Sequence, residues 1–223
     1  MPRQRRFLPP DNYYHIMNRG NNGQPIFTRD SDYRYYLEKL SDLKSEHPFE
    51  LIHYCLMGTH THMLVKISKQ TDFSIFSKRL NLSYANYYKR NYGLTGHFWQ
   101  GRFKSQIISG DSYFMQCGKY IELNPARASV VEKPEDYEFS SYRHYALGEN
   151  NALVTDDMFY NESGADMKDR SKKYRDLIIS EIVAESLSGK KIAIGTRNFV
   201  YNINKKNKYH LDHKKSPYRQ KSG

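Results

Sequence analysis

The chain has 223 residues, of which 38% are hydrophobic and 14% aromatic, so it can form one substantial core with an appended element and is not wholly disordered. Its two cysteines, Cys55 and Cys117, are too few for a disulfide framework or a cysteine-rich metal cluster, which favours a reducing cytoplasm. The net charge of +11 favours an acidic partner over a small-molecule substrate, and no signal peptide or membrane span is visible.

A β-strand is predicted at residues 13–18, followed by a glycine-rich loop at residues 19–23. Asp30 or Ser31 can cap a helix that runs to about Lys44, because apolar residues recur there at helical spacing. Residues 50–57 then form a second predicted strand.

The third predicted strand carries a His-x-His pair directly after a turn. Side chains alternate between the two faces of a strand, so His60 and His62 share one face while Thr61 and Met63 share the other. The second face is mostly apolar and suits packing against helices, which leaves the histidine face available for a metal or a phosphate. The pair alone is a weak signal, since two partly exposed histidines on a hairpin are common.

A second helix begins after Thr71 or Asp72, and a loop then enters a strand that ends near residue 108. Residues 73–110 contain no acidic residue. Their basic residues are Lys78, Arg79, Lys89, Arg90, Arg102 and Lys104. Tyrosines and Trp99 lie between them, a pattern that suits a polyanion with stackable bases, so nucleic acid is the expected partner. A solvated charged face is the ordinary alternative.

A third helix is expected from Asp111 to about Asn124, because the residue before Pro125 disfavours helical geometry. Tyr120 and Asn124 are four residues apart and therefore project from the same face of this helix. With 20 tyrosines in the chain, spacing alone does not single out Tyr120.

The order β-α-β-β-α-β-α predicts an α+β fold with a ferredoxin-like antiparallel sheet and helices on one face. We expect residues 1–150 to form this domain, residues 151–200 a helical extension, and residues 201–223 a flexible basic tail. From Ser188 onward there are ten lysines and arginines and a single acidic residue, Asp212. Most of the net charge therefore lies in this last part. Arg197, Lys205 and Lys206 are its candidates for binding DNA.

Four stretches, taken in order, resemble the single-tyrosine HUH transposases, and among them the REP-associated tyrosine transposases. They are residues 14–21 (YHIMNRGN), 57–65 (MGTHTHMLV), 97–103 (HFWQGRF) and 120–128 (YIELNPARA). The resemblance covers residues 10 to 145. Two departures from the family pattern are Thr61, where a bulky apolar residue is usual, and the Gly58-Thr59 turn, where proline and asparagine are usual.

The resemblance implies a site. His60, His62 and Asn124 would bind Mg²⁺ or Mn²⁺, and Tyr120 would attack single-stranded DNA to form a 5′-phosphotyrosine. The substrate would be a REP-like DNA hairpin with a short guide tetranucleotide at its foot. Arg19, Arg102 and Lys104 are the first candidates for contacting it, together with Asn21 and the basic residues named above. The proton acceptor could be Lys119, Glu122 or a metal-bound water.

Two other functions remain open from the sequence. A non-catalytic binder of DNA or RNA hairpins would keep the basic surface without turnover. A hydrolytic metal-dependent nuclease would use the histidines and not Tyr120. The sequence also leaves open whether the protein is a monomer or a homodimer, and whether Tyr120 serves its own subunit.

Overall fold

The computed structural model describes residues 6–109, 112–180, 193–194 and 197–213. The strands and α-helices of its first half follow the predicted order. They are β1 (Asn12–Arg19), α1 (Asp30–Glu46), β2 (Glu50–Met57), β3 (His60–Ile67), α2 (Phe73–Tyr92), β4 (Lys104–Ile108) and α3 (Ser112–Glu122).

The four strands form an antiparallel sheet in the spatial order β2-β3-β1-β4. A two-residue strand, β5 (Ala193–Ile194), extends the β4 edge in parallel orientation. The two interleaved βαβ units place β1 and β3 at the centre, which is the ferredoxin-like arrangement. The predicted α+β class is confirmed.

One face of the sheet packs against α1 and α2. It carries Tyr14 and Ile16, both almost fully buried, and Asn18, whose side-chain amide donates to Asn81 of α2 over 2.7 Å. Thr61 is paired with Asn18 in the ladder and is also fully buried. Thr61 therefore faces away from His60 and His62, as predicted.

Helix α3 packs on the opposite face, which is the face of the histidines. The Phe114 ring lies edge-on to Tyr13 of β1 with the ring centroids 4.7 Å apart. Cys117 and Ile121 are fully buried and complete an apolar stripe at helical spacing. Helices α1 and α2 thus lie on one face of the sheet, and α3 lies on the other.

A buried carboxylate fixes α3 to three other elements. Glu122 accepts hydrogen bonds from His53 Nδ1 (2.9 Å), Ser141 Oγ (2.5 Å) and Tyr174 Oη (2.6 Å). It has no exposed surface, and an ionised carboxylate in such a place is tolerated only when it is fully hydrogen-bonded. These bonds set the rotation of α3 over the sheet.

Among the described residues, five short and medium α-helices follow. They are α4 (Asn124–Arg127), α5 (Tyr142–Leu147), α6 (Met158–Glu162), α7 (Met167–Ser180) and α8 (Arg197–His213). Tyr142 and Tyr145 of α5 form a second buried cluster with Tyr160, Tyr174 and Ile178. This cluster crosses the predicted domain boundary at residue 150, because the aromatic rings of α5 pack against those of α6 and α7.

The boundary predicted at residue 200 falls inside α8. Phe199 and Val200 pack against the main core and Ile203 is 5% exposed, so apolar contacts continue past residue 200 and the helix runs on to His213. Residues 214–223 of the predicted tail lie outside the described residues. In the part of the chain that the structure describes, no helix combines the length and apolarity needed to cross a membrane.

The contact between α3 and β2 requires a glycine at position 118. A Cβ on Gly118 would lie 2.6 Å from Nε2 and 2.8 Å from Cδ2 of His53. We expect Gly118→Ala to destabilise the protein by about 2 kcal/mol, because displacing the His53 ring from Glu122 outweighs the helix propensity gained from alanine. Urea denaturation measures this change.

Gly58→Ala is the matched control, since a Cβ there has no atom within 4 Å. Its free energy of unfolding should change by less than about 0.5 kcal/mol. Equal stability of the Gly118→Ala variant and the unmodified protein would show that α3 is not held as described.

Candidate active site

The two histidines lie at the beginning of β3, directly after the Gly58-Thr59 turn. In the ladder with β1, His60 is paired with Arg19 and His62 with Met17. Paired residues point to the same side of a sheet, so these side chains share the face that α3 covers. His62 is 1% exposed and His60 is half-buried at the edge of the site.

Helix α3 brings Tyr120 over this histidine face. The ring centroid of Tyr120 lies 5.6 Å from that of His62, and the two rings are perpendicular. The centroids of His60 and His62 are 4.9 Å apart. About sixty residues of sequence separate Tyr120 from the two histidines. The half-buried Tyr120 is nevertheless their neighbour within one chain.

Both histidines engage Nδ1 in a hydrogen bond. Thr59 Oγ1 lies 3.0 Å from Nδ1 of His60, and His15 Nε2 lies 2.8 Å from Nδ1 of His62. The departure from the family pattern at Thr59 thus supplies a partner for His60. Nε2 of His62 is buried and has no hydrogen-bond partner. Each histidine therefore presents Nε2 as its candidate ligand atom.

Burial keeps the imidazoles of this face neutral. Desolvation lowers the pKa of His15 to about 4. Desolvation also lowers the pKa of His62 well below its usual value, with further contributions from His15 and His60. The pKa of His60 is lowered by burial and then by the charge of Arg19. Neutral imidazole is the form that binds a metal ion.

Asn124 lies one turn beyond Tyr120, at the start of α4. Its Nδ2 donates to the backbone oxygen of Tyr120 over 2.8 Å, a bond that does not use the amide oxygen. Within the described residues, no three histidine, cysteine, aspartate or glutamate side chains are grouped so that they could hold a metal ion. A cation beside His60 and His62 would therefore need a ligand of another type, and the amide oxygen of Asn124 is one candidate.

The structure adds two residues that the sequence did not single out, and it removes one. His15 belongs to the site through its bond to His62, and the guanidinium carbon of Arg127 lies 5.6 Å from the centre of the Tyr120 ring. Both residues lie within stretches that carry the family resemblance, and that was the only signal for them. Glu122 is excluded as a proton acceptor for Tyr120, because its oxygens are buried and accept from His53, Ser141 and Tyr174.

Two loops that carry predicted DNA-binding residues are joined by backbone bonds next to the site. Asn21 N donates to Phe98 O and Gln100 N donates to Arg19 O, both over 2.9 Å, and Gly20 is paired with Trp99. A cavity of about 170 Å³ between these loops is lined by Arg19, Arg102 and Lys104.

A second cavity of about 540 Å³ continues from Arg102. Its lining combines basic and aromatic side chains, which are those of Arg6, Lys78, Trp99, Arg102 and Phe103. The Arg6 guanidinium lies 4.1 Å from the centre of the Phe103 ring, and burial together with Arg102 lowers the pKa of Arg6 to about 10. Cationic groups therefore cluster in this cavity, on the α2 side of the sheet, and Arg102 lines both cavities.

The other predicted DNA-binding residues lie elsewhere. Arg79 forms an ion pair with Glu46 of α1. Lys89 and Arg90 lie about 16 Å and 18 Å farther along α2 than Lys78, at 1.5 Å of rise per residue. Lys205 and Lys206 are exposed on α8, and the side chain of Arg197 lies outside the described residues. Arg79, Lys89 and Arg90 are on α2, as Lys78 is, and this helix packs against the sheet face opposite the histidines.

Comparison with known proteins agrees with the geometry. The family model described as "Transposase IS200 like" matches residues 10–124, slightly more than half of the chain. A Haemophilus influenzae protein, provisionally named a REP-associated tyrosine transposase, is 26% identical over 135 residues, which cover 52% of this chain and 76% of that protein.

A solved structure of a REP-associated tyrosine transposase bound to a REP hairpin matches with a TM-score of 0.56 at 20% identity. The match covers 70% of this chain and 93% of that one, and it shows a shared fold. The resemblance seen in the four sequence stretches is thereby confirmed. The chain belongs to the IS200-like transposase family.

Proposed function

We propose that the protein cleaves and rejoins single-stranded DNA at hairpins through a covalent bond to Tyr120, with the help of a divalent cation. One observation carries the proposal: Tyr120 and His62 lie 5.6 Å apart, ring centroid to ring centroid, on the covered face of a transposase-like sheet. A nucleophile beside neutral metal-type ligands is the arrangement that metal-assisted phosphoryl transfer needs.

The residues present fit a cation. Nε2 of His62 is buried without a partner, and such an atom is costly unless something binds it. His60, His62 and the amide oxygen of Asn124 would hold the ion, and they contribute no negative charge. When bound, Mg²⁺ or Mn²⁺ supplies a Lewis acid for the scissile phosphate.

The chemical step exchanges one phosphoester bond for another. The oxygen of Tyr120 attacks phosphorus, the new O–P bond forms, and the bond from phosphorus to the 3′ oxygen breaks. The phenol gives up its proton and the leaving 3′ oxygen gains one, which yields a 5′-phosphotyrosine and a free 3′-hydroxyl. No phosphoester bond is lost, so a 3′-hydroxyl can reverse the step and join a strand.

Arg127 and α3 prepare Tyr120 for this step. The guanidinium of Arg127 lies over the Tyr120 ring, 5.6 Å from its centre, where a cation–π contact helps to orient the ring. The buried bonds of Glu122, two residues farther along α3, hold the helix in one orientation. The nucleophile is thus positioned before DNA binds.

The two basic cavities offer a path for single-stranded DNA. They share Gly101 and Arg102, and the first includes Arg19 and Met17, which are the ladder partners of His60 and His62. The larger one is within the size range of ligand pockets, so it accommodates a nucleotide, with the half-buried Trp99 for stacking. A hairpin partner is supported by the DNA bound in the structurally similar transposase.

Replacement of Tyr120 tests the covalent step. A pool of labelled oligonucleotides, each with a hairpin and a random tetranucleotide at its foot, is incubated with protein and Mn²⁺ and separated under denaturing conditions. We expect a protein–DNA adduct that falls at least about 100-fold in Tyr120→Phe, in His62→Ala and after chelation of the metal. Tyr113→Phe, on the same helix, is the control and should retain the adduct.

Two outcomes would overturn the proposal. Cleavage without an adduct, unaffected by Tyr120→Phe, would identify a hydrolytic nuclease. Tight binding of hairpins from the pool without cleavage would identify a non-catalytic binder.

Mixed variants test whether one chain contains a complete site. Tyr120 and the histidines are neighbours within a single chain, so a mixture of Tyr120→Phe and His60→Ala proteins should remain inactive. The adduct assay above measures this. Recovery of a quarter or more of the unmodified activity would show that Tyr120 acts on a partner's metal site.

A pair of arginine variants tests the DNA path. Arg102→Ala should weaken binding of single-stranded hairpin DNA about tenfold, as expected for one charge-assisted bond, and reduce the slope of log K against log salt by about 0.7. Arg79→Ala, which removes an arginine already paired with Glu46, should change affinity less than about twofold. Equal effects of the two variants would contradict the path.

A further inference from the structure

A third histidine adjoins the candidate metal ligands and has no role in the function proposed above. His15 lies on β1, 4% exposed, with its ring stacked on that of His62 and the ring centroids 5.1 Å apart. Its Nε2 lies 2.8 Å from Nδ1 of His62. A buried pair of imidazoles at this distance shares one hydrogen atom, so one nitrogen donates and the other accepts.

The direction of this bond decides which nitrogen of His62 has a free lone pair. If Nδ1 of His62 donates, a neutral His62 has its lone pair on Nε2. If Nδ1 accepts, Nε2 must carry the hydrogen and binds no cation. The tautomer of a metal-binding histidine is set by the bond that its other nitrogen makes.

The other end of His15 selects the first direction. Its Nδ1 lies 3.4 Å from Oε1 of Gln106 on β4, and an amide oxygen only accepts. Nδ1 of His15 therefore donates, and in a neutral His15 this leaves Nε2 as an acceptor. The acceptor faces Nδ1 of His62, which must then donate. The hydrogen bonds among Gln106, His15 and His62, on three neighbouring strands, are thus consistent with a single tautomer of each histidine.

The strand register brings these groups together. His15 is paired with Gln106 in the β1–β4 ladder, and His62 is two residues before Leu64, the partner of His15 in the β1–β3 ladder. The bonds thus run across the centre of the sheet. Covered by α3 and closed to water, they have few competing partners.

We propose that His15, oriented by Gln106, is a positioning residue for His62: it accepts the Nδ1 hydrogen of His62 and so keeps the Nε2 lone pair available to a cation. This inference rests on the proposed function of the same site. His15 does not contact the cation in this role. It fixes the tautomer and the ring orientation of a ligand.

The unmodified, metal-free protein provides the first test. Long-range ¹H–¹⁵N NMR correlations distinguish a protonated from an unprotonated ring nitrogen for each histidine. At pH 7.5 we expect His62 to carry its hydrogen on Nδ1 and His15 to carry its own on Nδ1. A hydrogen on Nε2 of His62 would overturn the proposal without any substitution.

Variants provide the second test, with Mn²⁺ binding measured by calorimetry. His15→Ala and His15→Phe remove the acceptor and should weaken Mn²⁺ binding about tenfold or more, the range seen for partners of metal ligands. His15→Gln places an amide oxygen at similar reach and should retain affinity within about threefold. The control is His144→Ala, which removes a histidine of α5 that is paired with Asp156. It should have no effect on Mn²⁺ affinity.

A purely space-filling role for His15 predicts a different order. His15→Phe would then be the mildest change and His15→Gln would offer no advantage over alanine. Affinity in His15→Ala within twofold of the unmodified protein would also overturn the proposal. Failure of the DNA adduct assay with the expected tautomer and Mn²⁺ affinities would contradict strand transfer and leave the role of His15 intact.

Discussion

The position of α3 depends on one buried carboxylate. Glu122 receives hydrogen bonds from β2, from the beginning of α5 and from α7, through His53, Ser141 and Tyr174. Removing a carboxylate from water costs several kcal/mol unless donors replace the solvent, so the network is stable only when all three partners are in place. Because Tyr120 is on the same helix two residues earlier, this network positions the candidate nucleophile. Helices α5 and α7 are therefore part of the framework of the candidate active site.

Exclusion of water also lowers the pKa of the buried histidines on the face that α3 covers. The same cover that α3 provides lowers the pKa of His15 and His62, since the charged imidazolium loses its hydration. Neutral imidazoles can bind a cation, and their hydrogen atoms are held at defined nitrogens by neighbours. The tight packing of Gly118 on His53 contributes to this closure, because a larger residue would lift the helix from the sheet.

Charge is distributed unevenly around the site. The smaller basic cavity is lined by Arg19, the ladder partner of His60, together with Arg102 and Lys104. Arg79 is on the same acid-free sequence segment, yet it is paired with Glu46 of α1. The proposed nucleic-acid partner would therefore be drawn to the two bonded loops, residues 19–23 and 97–103.

The sequence by itself determined the order of strands and helices, the position of His60 and His62 on one face of a strand, the position of Thr61 on the opposite face, and the basic character of the segment around α2. These follow from periodicity, turn residues and charge, which are local properties of the chain. Tertiary structure alone decided that His15 bonds to His62, that Glu122 is a buried anchor and not a base, that Arg79 faces Glu46, and that α8 continues past residue 200. Each of these depends on strand register or helix packing between residues far apart in the sequence, and local patterns do not specify which distant partner a side chain will meet.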